Sequence, residues 1–265
     1  MSLSIRPATD DDFELYVRLL PELGVDDPPA VLEKWRRTQR DDTLVAENDG
    51  QPLGLVWWQR LEGSGYVRQL ITSPGARQQG VGRALMEAVA WRLAAAGCNT
   101  WQLNVKPTNI AAIALYRSLG LHRDYGSASF KVEWPLLERL PSGETARLVT
   151  EAEEAEVERM LGLPPGQVTN DRRLGRVLLT VGPPFTGLAA FNPDYPGAFP
   201  FRAKSPAVAR ALLEAMRAHS KPGATFAGVV LENDDALAVA LERAGAFLRM
   251  KFDHYSGSVK APHAP

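Results

Sequence analysis

One stretch of the chain has the residue types and spacing for phosphate chemistry. Along Leu70-Ile71-Thr72-Ser73-Pro74-Gly75-Ala76-Arg77-Gln78-Gln79-Gly80-Val81-Gly82-Arg83-Ala84-Leu85 an apolar run stops at a proline, a short loop turns, and a helical pattern starts at a glycine pair. Backbone N–H groups at a helix start have no intrahelical partner. They point at one spot, where the helix dipole favours an anion. Gly80 and Gly82 lack a Cβ, so a phosphate can come close to the backbone. Arg77 and Arg83 add positive charge. The chemistry implied is a pyrophosphate cradle. It is not a Walker-type loop, which needs Gly-Lys-Ser/Thr, nor the dinucleotide fingerprint, which needs a third glycine. Taken alone, the two glycines equally suit a loop that needs positive φ.

The elements around this loop alternate strand and helix. Residues 3–8 read as a strand, and Thr9 as an N-cap before the acidic Asp10 to Asp12 and a helix reaching Leu20. Pro28-Pro29 open a second helix, which carries Trp35. Strands at 43–47 and 52–59 flank Asn48-Asp49-Gly50, a hairpin signal. A strand over 65–72 feeds the loop, and the helix after it runs over 81–96 to a Gly97 C-cap. Residues 100–105 read as a strand and 109–119 as a helix ended by Gly120. Residues 121–125 and 128–134 read as a closing pair of strands. Pro, Ser and Gly over 135–143 suggest a domain boundary.

Beyond that boundary the pattern restarts. Strands are expected at 146–150, 176–181, 187–191, 198–203, 226–231 and 246–252, and helices at 151–161, 206–219 and 234–244. Pro183-Pro184 mark a hairpin, and Ser205 caps the helix that begins at Pro206. The segments NIAAIALYRSLGLHR and NDDALAVALERAGAFLR both open at Asn, pass through a helix, stop at Gly and enter a strand. This reads as a diverged internal duplication, although a generic helix–glycine–strand unit has the same order.

Length and composition fit such a pair. At 265 residues the chain suits two domains, with 45% hydrophobic and 23% charged residues. A net charge of −1 gives no electrostatic ground for nucleic-acid or membrane binding. The single cysteine, Cys98, allows no internal disulfide and favours a reducing, cytoplasmic setting. It reads as a small buried residue. The N-terminus lacks a signal-peptide pattern and no stretch approaches a membrane span. The four His show no metal-ligand spacing. Residues 260–265 read as a disordered tail.

Arg77-x-x-Gly80-x-Gly82, preceded by Leu70-x-Thr72-x-Pro74, resembles the acetyl-CoA signature of the GNAT (GCN5-related N-acetyltransferase) superfamily. Asn109-x-x-Ala112-x-x-Leu115-Tyr116-x-x-x-Gly120-Leu121 resembles that family's second motif. The resemblance covers about residues 3–135. It implies an α/β fold of α+β character, with two GNAT-like domains in tandem, each a twisted mixed sheet flanked by helices. The division expected is 1–135, a linker at 136–143, and a degenerate GNAT-like domain at 144–259. The resemblance also implies that the strand before the loop and the strand at 100–105 splay apart and take the donor's pantetheine arm between them.

The implied donor is acetyl-CoA, held by Leu70, Ile71, Thr72, Arg77, Gln78, Gln79, Gly80, Val81, Gly82, Arg83, Asn109, Ala112 and Tyr116. In this family an amine attacks the thioester directly. The resemblance assigns the developing oxyanion to the Leu70 N–H and protonation of the leaving thiolate to Tyr116. Tyr116 also reads as a core tyrosine, and Asn109 as a plain N-cap that donates to pantetheine besides. No carboxylate stands on Tyr66-Val67-Arg68-Gln69, so no base is assigned. Glu62 and Glu133 are candidates without a placement. Trp57, Trp58 and Tyr66 read as core aromatics or as residues on strands that could border an acceptor cleft, which alternation lets at most one of the two tryptophans face directly.

In the second half the cradle position reads Arg202-Ala203-Lys204-Ser205-Pro206-Ala207. It has no glycine pair, and Pro206 removes a donor. Ala240 or Leu241 stands where Tyr116 would be. That half is expected not to bind the donor and to buttress the first half or wall the acceptor pocket. Phe252-Asp253-His254-Tyr255 read as strand residues or as pocket lining. The expected activity is acetyl transfer to a primary amine of a small molecule or peptide, by a monomer or homodimer. A non-catalytic acetyl-CoA sensor, or a transferase of a longer acyl group, is the alternative.

Overall fold

The structure is a computed structural model that describes residues 3–24, 30–61 and 63–259. The expected helix opening at Pro28-Pro29, Glu62 and the expected tail at 260–265 lie outside the described residues. The elements follow in chain order: β1 (Leu3–Pro7), α1 (Phe13–Leu19), α2 (Leu32–Thr38), β2 (Thr43–Asn48), β3 (Gln51–Leu61), β4 (Ser64–Thr72), α3 (Val81–Ala95), β5 (Thr100–Val105), α4 (Ile110–Ser118) and β6 (His122–Glu133). They continue with β7 (Ala146–Leu148), α5 (Glu154–Leu161), α6 (Gln167–Arg173), β8 (Val177–Val181), β9 (Gly187–Asn192), β10 (Gly197–Ala203), α7 (Pro206–Ala218), β11 (Phe226–Glu232), α8 (Asp235–Ala244) and β12 (Phe247–Ser258).

Two compact units divide the chain: Met1–Asp124 with Asp253–Pro265, and Tyr125–Phe252. In the first unit the strand order is β1-β2-β3-β4-β5-β12. All neighbours are antiparallel except β4 and β5, which are parallel. Local chemistry accounts for the elements. Asp49 (φ 49°) and Gly50 (φ 75°) both take left-handed backbone, as the tightest hairpin turn requires. The Thr9 N–H donates to Asp12 Oδ2 at 2.7 Å, which closes the capping box that starts the first helical segment. On α3, Val81, Leu85, Met86, Val89, Ala90 and Leu93 are buried at helical spacing. They pack on Leu44, Val56, Val67, Trp101 and Leu103 of the sheet. On the other face α1 and α2 cover Val45, Leu55 and Ile71 with Leu15, Tyr16, Leu19 and Trp35.

The second unit repeats the order, as β7-β8-β9-β10-β11-β6, again with one parallel pair, β10 and β11. The duplication read from the sequence is therefore a repeat of topology. The last strands are exchanged, however. Residues 127–133 of β6 pair with β11, and Asp253–Ser258 of β12 pair with β5.

Four sequence readings change. The division at 135 and the linker at 136–143 give way to breaks at 124 and 252. Residues 134–140 are not a free linker: Trp134, Leu137 and Leu140 recur every third residue and are buried (6%, 3% and 4% exposed) in the second unit's core. Trp134 Nε1 also donates to the Ala224 carbonyl at 2.8 Å. The closing pair of strands at 121–134 is one strand, β6, and the last strand runs to Ser258 rather than stopping at 252. The short helix α6 was not expected. Its polar sequence buries only Val168 and Asp171, and the Glu158 carboxylate starts it by accepting the N–H groups of Gly166 (2.9 Å) and Val168 (2.8 Å).

Candidate active site

Strand β4 pairs with β5 only over Ser64–Val67 and Thr100–Leu103. From Arg68 onward the two strands have no mutual pairing, so the sheet is split beside Leu70, Ile71 and Thr72. The Ser73 N–H donates to the Leu53 carbonyl of β3 at 2.8 Å. Alternation then turns the Ile71 amide toward β3 and the Leu70 and Thr72 amides into the split. One residue, Arg68, is extra in this pairing, since Trp58 lies opposite Val67 and Trp57 opposite Gln69. Such a bulge re-aims the backbone beyond it. It explains why Val67 and Leu70, three residues apart, face the same cluster.

The loop that follows leads into α3. Gln78 (φ 61°) and Gly80 (φ 83°) take left-handed backbone, and Gly80 is the N-cap, with no side chain to close the helix end. Among the described residues, no acceptor meets the N–H groups of Gln78, Gln79, Gly80, Val81, Gly82 or Arg83. Val81 is 2% exposed and anchors the loop. A Cβ built at Gly82 meets Leu115 Cδ2 at 3.4 Å and Thr72 Oγ1 at 3.7 Å, both ordinary van der Waals distances. The protein's own packing therefore does not require glycine there.

The side chains are placed differently. Arg77 is not free to face the cradle: its Nη2 is ion-paired with Glu22. Gln79 Nε2 donates to the Gly75 carbonyl at 2.7 Å. Arg83 Nη2 donates to Ser118 Oγ at 2.7 Å, which ties α3 to α4. Asn109 caps α4 through its Oδ1, which accepts from the Ala112 N–H at 3.2 Å and leaves its amide NH₂ available. Tyr116 is 6% exposed within the cluster formed by α3, α4 and the sheet. Burial raises its phenol pKa well above the ordinary value. Tyr66 is also raised, chiefly by burial, against the pull of Arg68 and a hydrogen bond with Asn104. Arg68 lies over its ring at 4.1 Å. Glu133 belongs to the second unit and pairs with Lys131 at 2.9 Å. Cys98 is buried.

The second unit departs at both key positions. Ser205 Oγ accepts the Val208 N–H at 3.2 Å, so the α7 start caps itself. The alignment of α4 with α8 is settled by their ends. The Leu121 N–H donates to the Tyr116 carbonyl at 3.0 Å, and the Ala246 N–H to the Leu241 carbonyl at 2.9 Å. Leu241, fully buried, therefore stands where Tyr116 does. No phenol can act there.

The site thus combines a mixed sheet split beside Leu70 to Thr72 with a helix start whose amides are unpaired among the described residues. The chain belongs to the acetyltransferase (GNAT) family, whose model matches residues 10–121. An acetyltransferase of Pectobacterium atrosepticum is 31% identical over 123 residues, covering 44% of this chain and 86% of that protein. Mycothiol acetyltransferase of Clavibacter michiganensis is 32% identical over 126 residues, covering 46% of this chain but only 36% of that longer relative. The fold of the whole chain is shared with a GCN5-related N-acetyltransferase from Sphaerobacter thermophilus, at a TM-score of 0.71 and 17% identity, over 97% of this chain and 96% of that one. No helix among the described residues is long and apolar enough to cross a membrane.

Proposed function

We propose that the first unit is an N-acetyltransferase that binds acetyl-CoA and passes the acetyl group directly to a primary amine. The observation that carries this reading is the row of unpaired amides from Gln78 to Arg83, next to a split into which the Leu70 amide points. In this reading the amides hold the pyrophosphate, and the exposed edge of β4 at Leu70 to Thr72 pairs with the amide-bearing arm as an added strand would. The Asn109 NH₂ and the α4 turn at Ala112 border the same arm. Bound acetyl-CoA supplies the activated acyl group. The chain's residues hold it beside the amine, stabilise charge on the thioester oxygen through the Leu70 N–H, and give the departing sulfur a proton from Tyr116. Proton removal from the amine falls to water, since β4 carries no carboxylate.

Thermal unfolding with and without acetyl-CoA tests the reading. At ~100 times its Kd, the ligand is expected to stabilise wild type by about 2.7 kcal/mol. Gly82→Glu, which places bulk and negative charge at the helix start, is expected to lose that rise while keeping the unliganded transition. No rise in wild type at millimolar ligand overturns the assignment. A rise without turnover on any amine favours the sensor reading.

The Glu22 pair yields a second expectation. Glu22→Gln releases Arg77 and removes a negative charge beside the cradle. Acetyl-CoA should bind up to about fivefold tighter at low salt, in keeping with the small worth of exposed pairs. The gain should shrink as salt screens it. Calorimetric titration at two ionic strengths reads both effects, and weaker binding would contradict the placement of Arg77.

A further inference from the structure

The bulge at Arg68 sets Trp57 and Gln69 directly opposite each other on β3 and β4. Cross-strand partners project from the same face. Here it is the face of Leu55 and Ile71, covered by α1 and α2, opposite to the face where α3 and α4 carry the cradle. Both side chains are only part-buried as residues. Their polar atoms, Trp57 Nε1 and Gln69 Oε1, are nonetheless enclosed, and neither has a hydrogen-bond partner among the described residues. A buried donor or acceptor without a partner is costly to the fold. Trp35 and Trp101 also leave an indole N–H unpaired, but each does so alone. Trp57 and Gln69 carry an orphaned donor and an orphaned acceptor on directly paired residues, Gln69 being next to Leu70 where the split begins.

We propose that Trp57 and Gln69 are the acceptor-recognition pair. This rests on the acetyl-transfer reading and adds the substrate class to it. With the donor's cradle on the α3–α4 face, the amine comes to the split from the α1–α2 face, past these two atoms. Gln69 Oε1 accepts an N–H of the amine, and Trp57 Nε1 donates to an oxygen on a neighbouring carbon. Neither group is charged, so the oxygen is neutral. The acceptor is thus a small amine with an adjacent carbonyl or hydroxyl, in preference to a plain alkylamine. Neither residue moves a proton in the reaction. Both position the nucleophile.

The test uses the full chain saturated with coenzyme A and labelled with ¹⁵N in its six tryptophans. Glycinamide and 2-aminoethanol serve as probes and propylamine as control. The indole N–H resonance that disappears in Trp57→Phe should move with the first two amines and not with propylamine. The movement should be lost in Gln69→Leu. In turnover, both variants should lower kcat/KM for the oxygen-bearing amines on the order of tenfold and keep the acetyl-CoA-dependent rise in unfolding temperature. The loss in Trp57→Phe should be smaller for propylamine, which offers its indole no oxygen, whereas Gln69→Leu should lower propylamine turnover as well. If Trp57→Phe does not fold, the near-isosteric Gln69→Leu still decides, because it must abolish the movement of one indole signal. A retained acetyl-CoA rise with no indole movement means that internal water fills the pair. That overturns this inference and leaves the acetyl-transfer reading standing, whereas loss of the rise in wild type removes both.

Discussion

Tyr116→Phe is expected to lower kcat by two to four orders of magnitude, the range for losing a positioned proton donor, with little change in the KM for acetyl-CoA. The ring sits in the cluster with Leu85, Ile113 and Leu121, and phenylalanine keeps that packing, so unfolding temperature should barely move. Burial favours the neutral phenol and raises the Tyr116 pKa well above the ordinary phenol value of about 10. A raised pKa keeps the Tyr116 phenol protonated over the whole neutral range, so it does not serve as a base there. It also means that the unfolded chain ionises this phenol first. The stability tied to the neutral form is therefore fully present below about pH 10 and is lost as pH rises further. The kcat profile should accordingly show no alkaline fall from this group below about pH 10. A loss under tenfold, or an alkaline limb that moves in the variant at pH 8, would place Tyr116 in packing alone.

Much of this site is visible in the letters of the chain, because the features that make it are local. Gly80 takes positive φ at the helix start, and Gly82 puts no side chain beside it. Asn109 must cap a helix, and Tyr116 follows seven residues later on its inner face. Each is a short-range property with a residue type attached. The strand-and-helix order is legible for the same reason, since Asp49-Gly50 turns and the α3 periodicity act within one element. What is not legible depends on pairing between distant segments. The extra residue at Arg68 has no composition signal, and only the register against Trp57 and Trp58 reveals it. The Arg77–Glu22 pair joins residues far apart in sequence, so Arg77 reads as a free cation until the fold is known. The buried face of residues 134–140 is a period-three pattern masked by Pro135 within it and by Pro141, Ser142 and Gly143 just after it. Most of all, nothing in the β6 or β12 sequences states which parallel pair each will close.

That exchange gives the second large effect, in a residue far from every motif. Tyr255→Ala is expected to destabilise the unit that carries the cradle by about 3–5 kcal/mol, the cost of removing a buried aromatic. This corresponds to a fall on the order of 10 °C in the acetyl-CoA-responsive transition. Tyr255 is 1% exposed and packs in the same cluster as Leu85, Leu103 and Tyr116. It lies opposite Leu103 in the pairing of β12 with β5, and β5 is the strand that defines one wall of the split. Two residues on, a Cβ at Gly257 would come within 2.7 Å of the Gly120 carbonyl and 3.1 Å of Leu121 Cα. Gly257→Ala should therefore press on the backbone that ends α4 and disturb the placement of Tyr116 as well. Phe247→Ala in the same strand serves as control, since Phe247 is 67% exposed and should change stability by no more than about 0.5 kcal/mol. If the first unit closed with its own β6, Tyr255→Ala would leave the acetyl-CoA-responsive transition where it is. In the observed arrangement the unit that carries the candidate site is complete only when the last strand of the chain is in place.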